Sequence, residues 1–124
     1  MACQILLIED NDNIRENTVE LLELEGYQVL AVGNGGRALE LIAERIPDLI
    51  ICDVVMPGLS GYDVFSALQN NRNTRSIPFI FASALSEPTD LAKAKAFGLR
   101  HYLVKPYDDT ELMYCVRAYI SKQK

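Results

Sequence analysis

The chain has 124 residues, 49% of them apolar and 23% charged, the balance expected of one globular domain around a single hydrophobic core. Its net charge is −5 and its lysines and arginines are scattered. That excludes direct nucleic-acid binding, since nothing would neutralise phosphates along a groove. The apolar run after Met1-Ala2-Cys3-Gln4 ends at Glu9-Asp10, too short to span a bilayer or to act as a secretory h-region. Cys3, Cys52 and Cys115 lack CxxC spacing, which fits reduced thiols in a cytoplasmic protein.

Short apolar runs alternate with segments of helical period. The first run, Ile5-Leu6-Leu7-Ile8, is followed by a predicted helix over 13–24. Asn13 and Glu16 stand at capping-box spacing, Ile14, Thr18, Leu21 and Leu22 share one face, and Gly26 terminates the segment. Val29-Leu30-Ala31-Val32 forms the second strand. A helix over 36–46 then presents Leu39, Ile42 and Ile46 and stops at Pro47. Leu49-Ile50-Ile51-Cys52 is the third strand, and Ser60 caps a helix carrying Val64, Phe65 and Leu68. The fourth strand covers Pro78 to Ala82. The helix expected over 88–97, with Leu91 and Ala94, has the weakest period and stops at Gly98. Tyr102-Leu103-Val104 is the fifth strand, and Asp108 with Glu111 boxes the start of a last helix bearing Leu112, Val116, Tyr119 and Ile120.

This is β-α repeated five times. Right-handed crossovers turn it into a doubly wound parallel sheet with helices on both faces. Most of the runs are continuously apolar, as strands covered on both faces require. Such sheets bind ligands beyond the carboxyl ends of their strands.

Glu9 and Asp10 follow the first strand, Asp53 the third, Ser83 the fourth, and Lys105-Pro106 the fifth. Taken singly, each has a plain reading. Asp10, Asp12 or Asn13 can cap the first helix, Asp53 can be a turn residue before Pro57-Gly58, and a lone lysine is usually solvated. Together they place three carboxylates, a hydroxyl and an ammonium on one edge. Packed carboxylates repel unless a cation lies among them, and hard oxygen ligands with room for water suit Mg²⁺. A carboxylate held there can attack phosphorus, while the ammonium and the hydroxyl hold the phosphoryl oxygens.

The segments Ile8-Glu9-Asp10, Asp48 to Gly58, Ala82-Ser83-Ala84 and Val104-Lys105-Pro106 resemble those of response-regulator receiver domains, in order and in spacing along essentially the whole chain. The resemblance implies one receiver domain over 1–124, a five-stranded flavodoxin-like (βα)5 fold with strand order 2-1-3-4-5. It implies Asp53 as phosphoacceptor. Mg²⁺, with Mn²⁺ as a substitute, would be held by Asp10, by Asp53, by Glu9 through water and by the backbone carbonyl of Val55. Ser83 takes the Thr/Ser switch position, Tyr102 the aromatic switch position, and Lys105 contacts the phosphoryl group. The Lys105-Pro106 bond matches the family's cis peptide.

Val55 and Leu85 flank the family's path for the hydrolytic water, and apolar side chains there imply a long-lived phosphoryl group. The partners implied are a sensor histidine kinase or phosphotransfer protein, and an effector or an output domain beyond this chain. They would read the surface of the fourth helix, fifth strand and fifth helix. His101 and Cys115 stand where the winged-helix subfamily places an Asp and an Arg that pair across a dimer, so a monomer or weak dimer is expected. The domain would act as a switch rather than an enzyme, with only self-catalysed phosphoryl transfer and autodephosphorylation.

Three rivals differ in chemistry. A haloacid-dehalogenase-type phosphatase needs a second Asp two residues after the nucleophile, where this chain has Val55. A flavodoxin-like electron carrier needs a Ser/Thr- and Gly-rich phosphate loop where Glu9-Asp10-Asn11-Asp12 stands. A pseudo-receiver acting without phosphorylation would keep the fold and lose the chemistry.

Overall fold

The apolar runs pair as parallel strands, and the amphipathic segments cover both sides of the sheet they make. The computed structural model describes residues 3–83, 92, 102–105 and 107–121. Along the chain come β1 (Gln4–Ile8), α1 (Asp12–Leu24), β2 (Gln28–Val32), α2 (Gly35–Glu44), β3 (Leu49–Asp53), α3 (Gly61–Gln69), β4 (Phe79–Ser83), β5 (Tyr102–Val104) and a C-terminal helix (Asp109–Ser121). The strand order is β2-β1-β3-β4-β5. The helix expected over 88–97 lies outside the described residues.

Strand alternation divides the core in two. Leu6, Ile8, Ile50, Cys52, Phe79 and Phe81 face α2 and α3, packing on Ala38, Ile42, Val64, Phe65 and Leu68. Phe65, Phe79 and Phe81 meet edge to face at 5.0 to 5.7 Å, a favoured arrangement for aromatic rings. Ile5, Leu7, Leu49, Ile51, Ile80, Ala82 and Leu103 face the other way, onto Leu22 of α1 and Leu112, Met113 and Val116 of the C-terminal helix. The residues of β3 and β4 are buried throughout, whereas β2 at the sheet edge exposes Gln28 and Leu30. Burial on both faces is why β1, β3 and β4 read as unbroken apolar runs.

The helix ends correct the sequence reading in two places. The cap of α1 is Asn11, not Asn13: its backbone is extended and its side chain accepts from the Ile14 N–H at 3.0 Å. Asn11, Asp12 and Asn13 are all competent caps, and backbone geometry selects the first. The second helix runs from Gly35 to Glu44 behind the cap Asn34, and Ile46 lies outside it, 51% exposed. Pro47 disfavours the helical region for Ile46, and Arg45 is already extended. Ser60 with Asp63 forms a complete capping box on α3, and Asp108 and Glu111 exchange the expected bonds. Gly26 ends α1 with φ +92°, a conformation that favours glycine.

Candidate functional site

The sheet register assembles the site. Ile8 of β1 lies beside Cys52 of β3, so Glu9 and Asp53 emerge from adjacent strands at the same level. Asp53 is the last residue of β3, not the first beyond it, and pairs with Ala82, one residue before Ser83. Ser83 pairs with Val104, and its carbonyl accepts the Lys105 N–H at 2.8 Å. Consecutive strand ends thus present Glu9, Asp53, Ser83 and Lys105 in spatial order.

Carboxylate oxygens of Glu9, Asp10 and Asp53 lie within 4.8 Å of one another. Glu9 and Asp53 are buried, at 2% and 7% exposure, while Asp10 is exposed. The Lys105 ammonium forms a close ion pair with Glu9 and lies 3.1 Å from Asp53 Oδ2. One ammonium therefore bridges two of three clustered carboxylates and leaves negative charge in excess. Hard oxygen donors with one open side fit a small divalent cation such as Mg²⁺ and do not suit a soft metal.

The electrostatics follow. Burial and the charge of Glu9 push the Asp53 carboxyl up to about 6, against the opposing pull of Lys105. Burial alone would lower the Lys105 ammonium. Its bonds to Glu9 and Asp53 outweigh that and leave it above the ordinary lysine value. The Cys52 thiol is raised well above its usual range, by burial first and then by Asp53 and Glu9, and its S–H donates to the Asp53 carbonyl at 3.2 Å. It is an inert core thiol.

The loop after β3 is shaped around Asp53. The Gly61 N–H donates to the Val54 carbonyl at 2.8 Å. A Cβ at Gly61 would sit 2.3 Å from the Asp53 carbonyl oxygen and 2.9 Å from the Val54 Cα, so only glycine fits. Val55 is 59% exposed. Leu85, His101 and Pro106 lie outside the described residues, as does the side chain of Tyr102, whose backbone pairs with Phe81 in β5.

The sequence reading passed over Arg15. Its guanidinium donates to the Glu9 carbonyl at 2.8 Å and pairs with Asp12 at 2.6 Å, tying α1 to the loop that carries two of the acids. A basic residue on the first turn of a helix is normally a solvated charge, so no signal singled it out.

The family comparison decides what this edge belongs to. The response regulator receiver domain model matches residues 5–117. The chain is a member of the response regulator receiver family. Among curated relatives, it is 33% identical over 118 residues to Protein PilH of Pseudomonas aeruginosa, covering 95% of this chain and 98% of that one. It is 35% identical to the transcriptional regulatory protein CpxR of Escherichia coli, covering 96% of this chain but 50% of CpxR. The receiver thus spans nearly all of some relatives and about half of others. Among solved structures, it is similar to the signal receiver domain of a signal transduction histidine kinase from Syntrophus aciditrophicus, with a TM-score of 0.91, 35% identity and coverage of 99% and 93% of the two chains. It is also similar to chemotaxis response regulator CheY4 of Vibrio cholerae, with a TM-score of 0.89, 25% identity and coverage of 96% and 99%. The α/β receiver fold with a parallel sheet is shared throughout. Among the described residues, no helix is long and apolar enough to cross a membrane.

Proposed function

We propose that this receiver is a phosphoacceptor of a two-component phosphorelay, in which Asp53 takes a phosphoryl group from a histidine kinase or phosphotransfer protein. The observation that carries this reading is the Lys105 ammonium held between Glu9 and Asp53, beside a third carboxylate at Asp10. An Asp53 carboxylate oxygen attacks phosphorus, and the bond from phosphorus to the donor's leaving atom breaks, its electron pair going with the donor. Lys105 then faces the phosphoryl oxygens as a point charge, and Ser83 donates to one of them. Glu9, Asp10, Asp53 and the Val55 carbonyl would hold Mg²⁺, or Mn²⁺ in its place, which supplies positive charge to the phosphoryl oxygens.

On this reading the segment 88–97 is the fourth helix of a (βα)5 receiver over residues 1–124. Movement of Ser83 towards the phosphoryl group draws in Tyr102 and biases the surface made by 88–97, β5 and the C-terminal helix. An effector or an output domain reads that surface. The protein works in the cytoplasm as a switch whose only chemistry is its own phosphorylation and autodephosphorylation, as a monomer or weak dimer that contacts no nucleic acid itself.

The test is intact-mass spectrometry after incubation with Mg²⁺ and a small acyl phosphate. Addition of one phosphoryl group, lost in Asp53→Asn and without metal, is the expected result. A folded wild type that takes up none would overturn the reading in favour of a pseudo-receiver that binds its partner without phosphate.

A further inference from the structure

Two residues outside the acidic edge meet behind it. Thr18 lies in the middle of α1 and is 2% exposed. Its hydroxyl is 3.0 Å from the phenolic oxygen of Tyr107, across 89 residues of sequence. A threonine hydroxyl inside a helix commonly bonds back to a carbonyl one turn earlier; this one meets the connection after β5. Tyr107 follows Lys105 by two residues and leads into the Asp108 cap of the C-terminal helix, while its ring packs against the core under α1.

The phenol senses the acidic edge. Its acidity is suppressed by burial first, with the charges of Glu9 and Asp53 adding to that while Thr18 and Lys105 oppose it. Tyr107 is therefore electrostatically part of the site's surroundings, although no carboxylate bonds to it among the described contacts. Among the described residues, the connection after β5 is held by the Lys105 N–H to the Ser83 carbonyl, Tyr107 to Thr18, and Asp108 to Glu111. The first fixes the backbone at the strand end, and the third fixes the helix start. The middle tie joins the residue two beyond Lys105 to α1.

We propose that the Thr18–Tyr107 hydrogen bond is a positioning device that holds the Lys105 ammonium between Glu9 and Asp53; its effect on phosphoryl transfer rests on the function proposed above. A reacting charge displaced by a fraction of an ångström loses much of its value, and a buried hydroxyl pair is well suited to prevent this. Its two members come from α1 and from the β5 connection, so α1 sets the position of the cation side of the site. Through Arg15 the same helix also grips the acid side.

The test uses Tyr107→Phe, Thr18→Val and Thr18→Ser in the full chain. The first two delete the hydrogen bond with almost no change of shape, and the third keeps the hydroxyl while losing a packed methyl. Two quantities are read: the NMR signals of the Lys105 side chain in the unphosphorylated protein, assigned by their loss in Lys105→Arg, and the rate of phosphorylation by a small acyl phosphate. Tyr107→Phe and Thr18→Val should move the Lys105 signals towards those of a free lysine and slow phosphorylation about five-fold, the share one hydrogen bond carries. Thr18→Ser should keep both, even where its thermal stability falls below that of Thr18→Val. That opposite ordering separates positioning from bulk stability. Lys105 signals unchanged in Tyr107→Phe, or a Thr18→Ser variant as impaired as Thr18→Val, would overturn the proposal. A wild type that accepts no phosphoryl group would defeat the functional reading alone, because the Lys105 signals still decide this one.

Discussion

At the scale of single residues, the site is one cation shared among acids, and its surroundings set how long a phosphoryl group would last. Val55 is an exposed apolar side chain two residues beyond Asp53, and Leu85 stands two beyond Ser83. Neither can hydrogen-bond a water molecule into line for attack. The double change Val55→Asn and Leu85→Glu is therefore expected to shorten the lifetime of phosphorylated Asp53 about ten-fold, less than the roughly hundred-fold or more that a fully positioned acid or base contributes. Following loss of the added mass over time checks this; an unchanged lifetime would mean that neither side chain governs the water. The acids and the lysine could be read from the sequence because each follows an apolar run. Arg15 and Tyr107 could not, since an arginine on a helix and a tyrosine beside a proline have many commoner uses.

At the scale of elements, strand ends and helix starts do the positioning, and the backbone matters as much as the side chains. The first turn of α3 approaches the end of β3 so closely that Gly61 has no room for a methyl group. Gly61→Ala is expected to cost about 2 kcal/mol or more, in the range for overpacked sites, because the atoms in the way are backbone. Urea unfolding measures it, and a variant as stable as wild type would mean that α3 can shift freely. The strands were legible to within a residue because β1, β3 and β4 are buried on both faces. Helix starts were less so. Asn11, Asp12 and Asn13 are consecutive cap-competent residues where α1 begins, and the extended backbone of Asn11 selects it, which composition does not encode.

At the scale of the whole molecule, the clustered acids bear on folding stability. The Asp53 carboxyl sits near 6 in the folded chain against 3.8 for an ordinary aspartate. The folded state thus holds a proton that the unfolded state releases between about pH 4 and pH 6. In metal-free protein, this residue's contribution to stability is favourable below about pH 4 and is lost as pH rises through about 6. Asp53→Asn should flatten that fall and make the metal-free protein more stable than wild type at neutral pH. Denaturant melts in chelator across that range test it; identical pH profiles for the two proteins would refute it. The overall architecture was legible from alternating runs, whereas the division of the core into two layers came from strand register.

The span of the Lys105–Glu9 pair, 96 positions of sequence, has a consequence for the life of the chain. Contacts of such range form late, because the intervening loop must close first. A polypeptide emerging from the ribosome carries Glu9, Asp10 and Asp53 long before the lysine that answers them. Until β5 docks, those acids lack their built-in counter-ion, so on the function proposed above Asp53 is expected to accept a phosphoryl group only once β5 has joined the sheet.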